Sequence, residues 1–313
     1  MLPVLDYGDG ISCVDTGYVR PQMTACYLLE QDGRAAFIET GVNNNVAALL
    51  ALLNDKGIAR EQVDYVIPTH VHLDHAGGAG QLMQALPNAQ LVIHPRGARH
   101  MIDPARLIAG TSAVYGADEF SRLYGDVIPV DAARVVEAAD GFEISLGSRV
   151  LQFIDTPGHA RHHFCIYDAL SQGVFSGDTF GLSYREFDSN GKVLCFPTTT
   201  PVQFDPDALH RSIDRLMALQ PSQIFLTHFG RIESPRQAAD QLHRDIDHFV
   251  SITNGAKAEN DPQQRISEQL QDWLCNRARA VNADLSAEKI RQLLAADILL
   301  NAQGLAYWLR TQH

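Results

Sequence analysis

Thr69-His70-Val71-His72-Leu73-Asp74-His75-Ala76-Gly77-Gly78 puts three histidines and an aspartate into six consecutive residues and closes on two glycines. The preceding VDYVIP, residues 63–68, reads as a buried strand that runs straight into this stretch. Residues two apart at a strand end point the same way, so His70 and His72 can present imidazoles to one ion. Asp74 and His75 lie just beyond, where the chain turns into a helix, and can face a second ion. Gly77 and Gly78 let the backbone turn tightly and pack close. Clustered polar groups at the edge of a core need compensation, and a metal supplies it.

The chain flanking this motif alternates. QMTACYLLEQ, the turn Asp32-Gly33 and RAAFIETG predict a hairpin ending at Gly41. Asn45 to Lys56 follows as an amphipathic helix with Gly57 as its stop. AGGAGQLMQAL reads as a helix, QLVIHP as a strand, and residues 96–126 as mostly helical. Three short strands come next, RVLQFIDTPGH, GVFSGD and QIFLTHFG, with His159, Asp178 and His228 at or just past their ends. Interleaved strands and helices predict a layered α/β domain over residues 1–233, with the helical stretch as an insertion. From Ser234 the pattern is helix only, with Ser234-Pro235, Asp261-Pro262 and Ser286 as helix starts. Ile266, Leu270, Trp273, Leu274 and Val281 form one apolar face there, to be buried on the same chain or in a homodimer.

Composition narrows the function classes. The 313 residues carry 25 Lys and Arg against 37 Asp and Glu, a formal charge of -12, which disfavours a nucleic-acid partner. Cysteines 13, 26, 165, 195 and 275 form no CxxC pair and suggest isolated reduced thiols. The start of the chain has no signal-peptide pattern, and no apolar run approaches the ~20 residues of a membrane span, so a cytoplasmic, membrane-free setting is expected.

Seven imidazole and carboxylate groups without a thiolate suit two divalent ions, Zn²⁺ first, with Fe or Mn as alternatives. HxHxDH at His70, His72, Asp74 and His75, then TPGH with His159, GD with Asp178 and TH with His228, resemble in order the metallo-β-lactamase-fold hydrolase superfamily. That resemblance spans about residues 10–232 and implies a four-layer αββα sandwich, here with a helical extension at 234–313. It implies His70, His72 and His159 on one metal, Asp74, His75 and His228 on the other, and Asp178 as the bridge. It further implies a hydroxide between the ions as nucleophile, with Asp74 orienting it and passing a proton to the leaving group.

The branch follows by comparison. Zinc β-lactamases carry Cys or Ser where this chain has Asp178, and they are exported. Flavodiiron proteins carry Glu at the place of His72, and RNA-processing branches use basic arms. Glyoxalase II resembles the chain in ligand set and helical end, but its gap before the fourth histidine is shorter than the 84 positions from His75 to His159. Quorum-sensing lactonases resemble it in a helical insertion and carry a substrate-contacting Tyr where this chain has Gly181, with Tyr184 three later. The expected function is hydrolysis of a small ester, thioester or lactone. Two rival readings stay open: a mononuclear iron oxygenase of persulfides using His70, His159 and Asp178, and a binding or signalling protein with a retained metal site.

Thr179 to Pro201 follows the bridging aspartate and mixes Phe180, Tyr184 and Phe196 with Phe187 and glycines. It reads equally as a substrate lid or as an ordinary long loop. His162 and His163 are expected on the surface, with a hydrogen-bonding role behind the ligands as the alternative. Ser286-Ala-Glu-Lys289 reads as a helix cap rather than a nucleophile motif, and GGAGQL as a helix start rather than a dinucleotide fingerprint.

Overall fold

The computed structural model describes residues 3–199 and 201–312. They fall into two compact units. The first comprises Met1–Asp155, His162–Gly177 and Gln223–Arg231; the second comprises Thr156–Arg161, Asp178–Ser222 and Ile232–His313.

The first unit is built on two sheets. One carries β1 (Val4–Asp6), β2 (Ile11–Asp15), β3 (Ala25–Gln31), β4 (Arg34–Ile38), β5 (Val63–Ile67), β6 (Gln90–Ile93) and β7 (Val135–Glu137), in that order. The other carries β8 (Glu143–Leu146), β9 (Arg149–Asp155), β10 (Phe164–Asp168), β11 (Gly173–Phe175), β12 (Gln223–Leu226) and β13 (Gly230–Ile232), in sequential order across the sheet. The β3–β4 hairpin turns at Asp32 and Gly33, whose φ values of 51° and 73° are what a two-residue hairpin needs.

Neighbouring residues on the strands serve opposite cores. Cys13, Tyr27 and Ala36 face the inter-sheet core with Phe153, Phe164, Phe175 and Phe225. Val14, Leu28 and Phe37 face a second core with Leu49, Leu53, Leu82 and Met101. Those come from α1 (Val46–Asp55), α3 (Ala79–Ala85) and α4 (Pro95–Ile102), while α2 (Leu73–Ala76) is a single turn. A sheet buried on both faces explains why β3 and β4 read as apolar runs rather than alternating strands. The segment after β6 continues through α5 (Ala105–Tyr115) and α6 (Ala117–Tyr124). One ion pair is sealed inside: Arg149 Nε donates to Asp168 Oδ1 at 3.0 Å and its Nη1 to the Asp9 carbonyl at 2.7 Å, with both side chains at 0% exposure.

Strand direction decides where the chemistry collects. β9 and β11 are both antiparallel to β10, and β12 is parallel to β11, so all three exit at one sheet edge. In the other sheet β4, β5 and β6 run parallel, so the helix and loop ends behind them gather at a common edge as well.

The second unit contains α7 (Pro206–Ala218), α8 (Pro235–Gly255), α9 (Pro262–Val281) and α10 (Ala287–Thr311). Asp261 and Ser286 cap α9 and α10 through Gln264 N at 3.1 Å and Lys289 N at 3.1 Å. Ser234 precedes Pro235 as expected but makes no side-chain cap bond. The apolar face of α9 is Ile266, Leu270, Leu274 and Ala278, all buried, and α9 packs on α10 and α8 of the same chain. Trp273 and Val281 are only half-buried, and Trp273 stacks on His248 with ring centroids 3.8 Å apart. Between α7 and α8, His210 and His243 meet at 2.6 Å, and their far nitrogens reach Asp247 and Asp214, each at 3.2 Å.

The segment after Asp178 is knit into this unit. Phe180, Tyr184, Phe187 and Phe196 are all at 0% exposure. Tyr184 donates to Asp297 Oδ1 at 2.9 Å, and Thr199 N donates to Asn301 Oδ1 at 2.6 Å, both partners lying on α10. Their aromatic rings form a core. No helix among the described residues is long and apolar enough to cross a membrane.

Candidate metal centre

The opening motif lies where β5 ends. His72 is the N-cap of α2, and that one turn carries Asp74 and His75. Both glycines behind it are required: a Cβ on Gly77 would lie 2.3 Å from the Leu73 carbonyl oxygen, and one on Gly78 would lie 2.9 Å from Val46 Cγ2.

Asp74, His75 and His228 bring one ligand atom each within 4.8 Å of one another. Asp74 Oδ2 is 3.3 Å from His228 Nε2 and 3.7 Å from His75 Nε2. The opposite ring nitrogens are engaged elsewhere. His228 Nδ1 donates to the Met23 carbonyl at 3.0 Å, and His75 Nδ1 donates to Glu39 Oε1 at 2.9 Å. With each proton on Nδ1, both Nε2 lone pairs face Asp74, the tautomer a cation selects, enforced by the Glu39 carboxylate for His75 and by the Met23 carbonyl for His228.

Glu39 is the residue that sequence reasoning missed. It sits at the end of β4 with φ 63° and 0% exposure. Its carboxylate accepts from Thr69 N at 3.0 Å, Thr69 Oγ1 at 2.6 Å and Thr227 Oγ1 at 2.9 Å in addition to His75. Thr69 Oγ1 in turn lies 3.1 Å from His70 Nδ1, so one carboxylate orients His75 directly and His70 through a threonine. The available signal was a glutamate ending the apolar run AAFI, since Glu is almost never buried without such partners. Behind it the Cys26 thiol is held protonated, first by burial and then by the Glu39 charge.

His70 Nε2 and His72 Nδ1 converge to 2.8 Å. His162 and His163, expected at the surface, are 8% and 0% exposed. The His163 ring centroid is 4.8 Å from that of His70, and the His162 centroid is 5.6 Å from that of His72. They immediately precede β10, which brings them to the ligand-bearing edge, and no periodicity in two residues could show that. Gly177 completes this wall: a Cβ there would lie 2.5 Å from both His163 Nε2 and Thr69 Oγ1.

In the second unit His159 Nε2 is 3.4 Å from Asp178 Oδ2, and its Nδ1 is 3.4 Å from the Thr198 carbonyl. TPGH is shaped by α7. A Cβ on Gly158 would lie 2.4 Å from Leu209 Cα, while the Pro157 carbonyl accepts from Ser212 at 2.6 Å and the Gly158 carbonyl from Asp205 N at 2.8 Å. Gly181 has no room for the lactonase-type tyrosine, because a Cβ there would lie 2.3 Å from the Phe196 carbonyl oxygen. Phe180, Tyr184 and Phe196, expected to line a substrate wall, are placed instead as interior side chains of this unit.

The family model described as the metallo-beta-lactamase superfamily matches residues 19–228. A metallo-beta-lactamase fold-containing protein of Sulfurisphaera tokodaii is 28% identical over 243 residues, 74% of this chain and 83% of its own. A hydroxyacylglutathione hydrolase of Maricaulis maris is 27% identical over 216 residues, 67% of this chain and 66% of its own. A solved metallo-beta-lactamase family protein from Thermus thermophilus superposes with a TM-score of 0.69 at 19% identity, over 97% of this chain and 94% of that one.

Proposed function

We propose that this chain, which belongs to the metallo-beta-lactamase superfamily, is a two-metal hydrolase of a small ester, thioester or lactone. The observation that carries the reading is the Asp74, His75 and His228 group, with both imidazoles held in the metal-binding tautomer. In this assignment His70, His72 and His159 would hold a first ion, Asp74, His75 and His228 would hold a second, and Asp178 would serve both. Nitrogen and oxygen donors without a thiolate favour Zn²⁺, with Fe or Mn as the alternatives. When bound, the ions supply a polarised carbonyl and a water acidified toward neutrality.

The protein's own part in the reaction falls to Asp74. Its side chain is 23% exposed while His75 behind it is sealed, so this carboxylate is the member of the group that water and substrate can reach. With Oδ2 turned to the histidines, Oδ1 takes the proton of the attacking water and returns it to the departing oxygen or sulfur. The thioester class draws support from the hydroxyacylglutathione hydrolase relative.

The test is metal analysis combined with turnover of an acyl panel containing alkyl acetates, a lactone and a hydroxyacylglutathione. Two ions per chain and hydrolysis of at least one class are expected. Asp178→Ala should lose an ion, and Asp74→Ala should lose activity. One iron per chain with oxygen uptake would overturn the assignment.

A further inference from the structure

The first unit contains a tyrosine-rich wall that the metal centre does not use. Tyr124 of α6 is buried with Val42, Leu73 and Phe120, and Tyr18, Leu107, Ile108 and Tyr115 pack half-buried against them. Leu73 immediately precedes Asp74, so the wall adjoins the carboxylate that handles the proton. The Tyr18 and Tyr124 rings stack at 6.1 Å, and Tyr115 meets Tyr124 edge-on at 5.9 Å.

Tyr18 is held in place rather than draped. Asp15, 4% exposed, accepts from Gly17 N and Gln22 N at 2.9 Å each, and Thr16 Oγ1 donates to the Thr24 carbonyl at 3.0 Å. Between those anchors Val19 adopts φ 58°, a conformation β-branched residues avoid, and stands 63% exposed beside Tyr18. Val114, beside Tyr115, is 53% exposed. Backbone strain retained on an anchored loop beside an aromatic cluster is a feature of segments that contact ligands.

We propose that this wall is the leaving-group subsite, with Tyr18 donating a hydrogen bond to the departing atom and Tyr115, Leu107 and Ile108 packing its apolar arm. The preferred substrates are then esters or thioesters of apolar alcohols or thiols. In that reaction the acyl C–O or C–S bond breaks, water adds its OH to the acyl carbon, and its proton ends on the leaving atom beside Asp74. A phenol ionises only near pH ~10, so Tyr18 donates this hydrogen bond without giving up its proton. Tyr124, buried and stacked on the Tyr18 ring, is a positioning residue.

The inference rests on the hydrolase reading, and two ester series separate the two. With acetyl fixed, kcat/KM should rise about three- to fourfold per methylene from ethyl to hexyl acetate. With the alcohol fixed as ethyl, lengthening the acyl chain should give no such rise. Tyr18→Phe, which removes one oxygen from a half-buried ring, should lower kcat on hexyl acetate about tenfold with KM little changed. Tyr115→Ala should raise KM for hexyl acetate several-fold more than KM for ethyl acetate, flattening the rise along the alcohol series. Saturation-transfer NMR with 2-phenylethanol reads the wall without turnover, and its signal should weaken in Tyr115→Ala. If neither series nor the lactone and hydroxyacylglutathione of the acyl panel is hydrolysed but 2-phenylethanol binding depends on Tyr115, the hydrolase reading fails and the wall stands as a binding site for apolar alcohols. A slope in the acyl series instead of the alcohol series, or 2-phenylethanol binding indifferent to Tyr115, overturns the proposal.

Discussion

Replacing Glu39 by Gln should weaken the metal centre without touching a ligand. Oε1 of Glu39 takes three donors, from Thr69 Oγ1, His75 Nδ1 and Thr227 Oγ1, and Oε2 takes the Thr69 amide. A glutamine that keeps its oxygen on the first three must set its amide hydrogens against the Thr69 N–H. The reverse flip sets them against all three. Even the better orientation leaves one buried donor unmatched, at about 1–3 kcal/mol. Loss of the carboxylate also removes the group that fixes the His75 tautomer, and such partners are typically worth roughly 10–100-fold in metal affinity. Competition of the purified protein against a chromophoric zinc chelator reads the affinity, and thermal unfolding with and without zinc reads the stability. Two classes of site should separate in the titration, the His75-containing one weakened more because His70 is reached only through Thr69. Unchanged zinc affinity in a folded Glu39→Gln protein would refute the claim that Glu39 sets the ligand tautomers.

Three further outcomes follow from buried groups. Arg149→Ala should cost about 3–5 kcal/mol in urea unfolding, because it strands the Asp168 carboxylate at 0% exposure, and a loss below 1 kcal/mol would show the pair to be solvated. Asp245, fully buried on α8 beside Arg277, has its pKa raised to about 6 by burial, which Arg277 only partly offsets. A carboxyl whose folded pKa exceeds its unfolded one stabilises the fold below the unfolded value and loses that contribution as pH rises through about 6. Asp245→Asn should therefore flatten a pH-dependent loss of roughly 3 kcal/mol between pH ~4 and ~6, followed by fluorescence of the nearby Trp273. Parallel pH profiles for parent and variant would contradict it. Gly177→Ala should destabilise the fold and disturb the His70 surroundings, because its φ is 48° and its Cβ would meet Thr69 and His163 at 2.5 Å; wild-type melting and zinc binding would exclude that crowding.

Much of the centre is legible in the sequence alone. A ligand needs a particular donor atom, and donors at strand ends announce themselves as polar residues breaking apolar runs, as in VDYVIPTH and IFLTHFG. The β3–β4 hairpin and the Ser286 cap were legible for the same reason, since each depends on residues adjacent in sequence. Glu39 was harder: its four partners come from residues 69, 75 and 227, and no local pattern predicts that convergence. His162 and His163 carry no periodic signal in the sequence, and their place just before β10 is what buries them.

The segment after Asp178 marks the boundary between the two kinds of information. By itself the sequence determined the family, the α/β class and the kinds of donor available, because covalent spacing and strand direction govern which atoms can meet. It did not determine that Phe180, Tyr184 and Phe196 lie in the second unit's interior, with Tyr184 tied to α10. An aromatic side chain suits a binding wall and a packed core equally well. Only the tertiary structure settles which surface leaves water, since burial is a property of neighbours more than one hundred positions away.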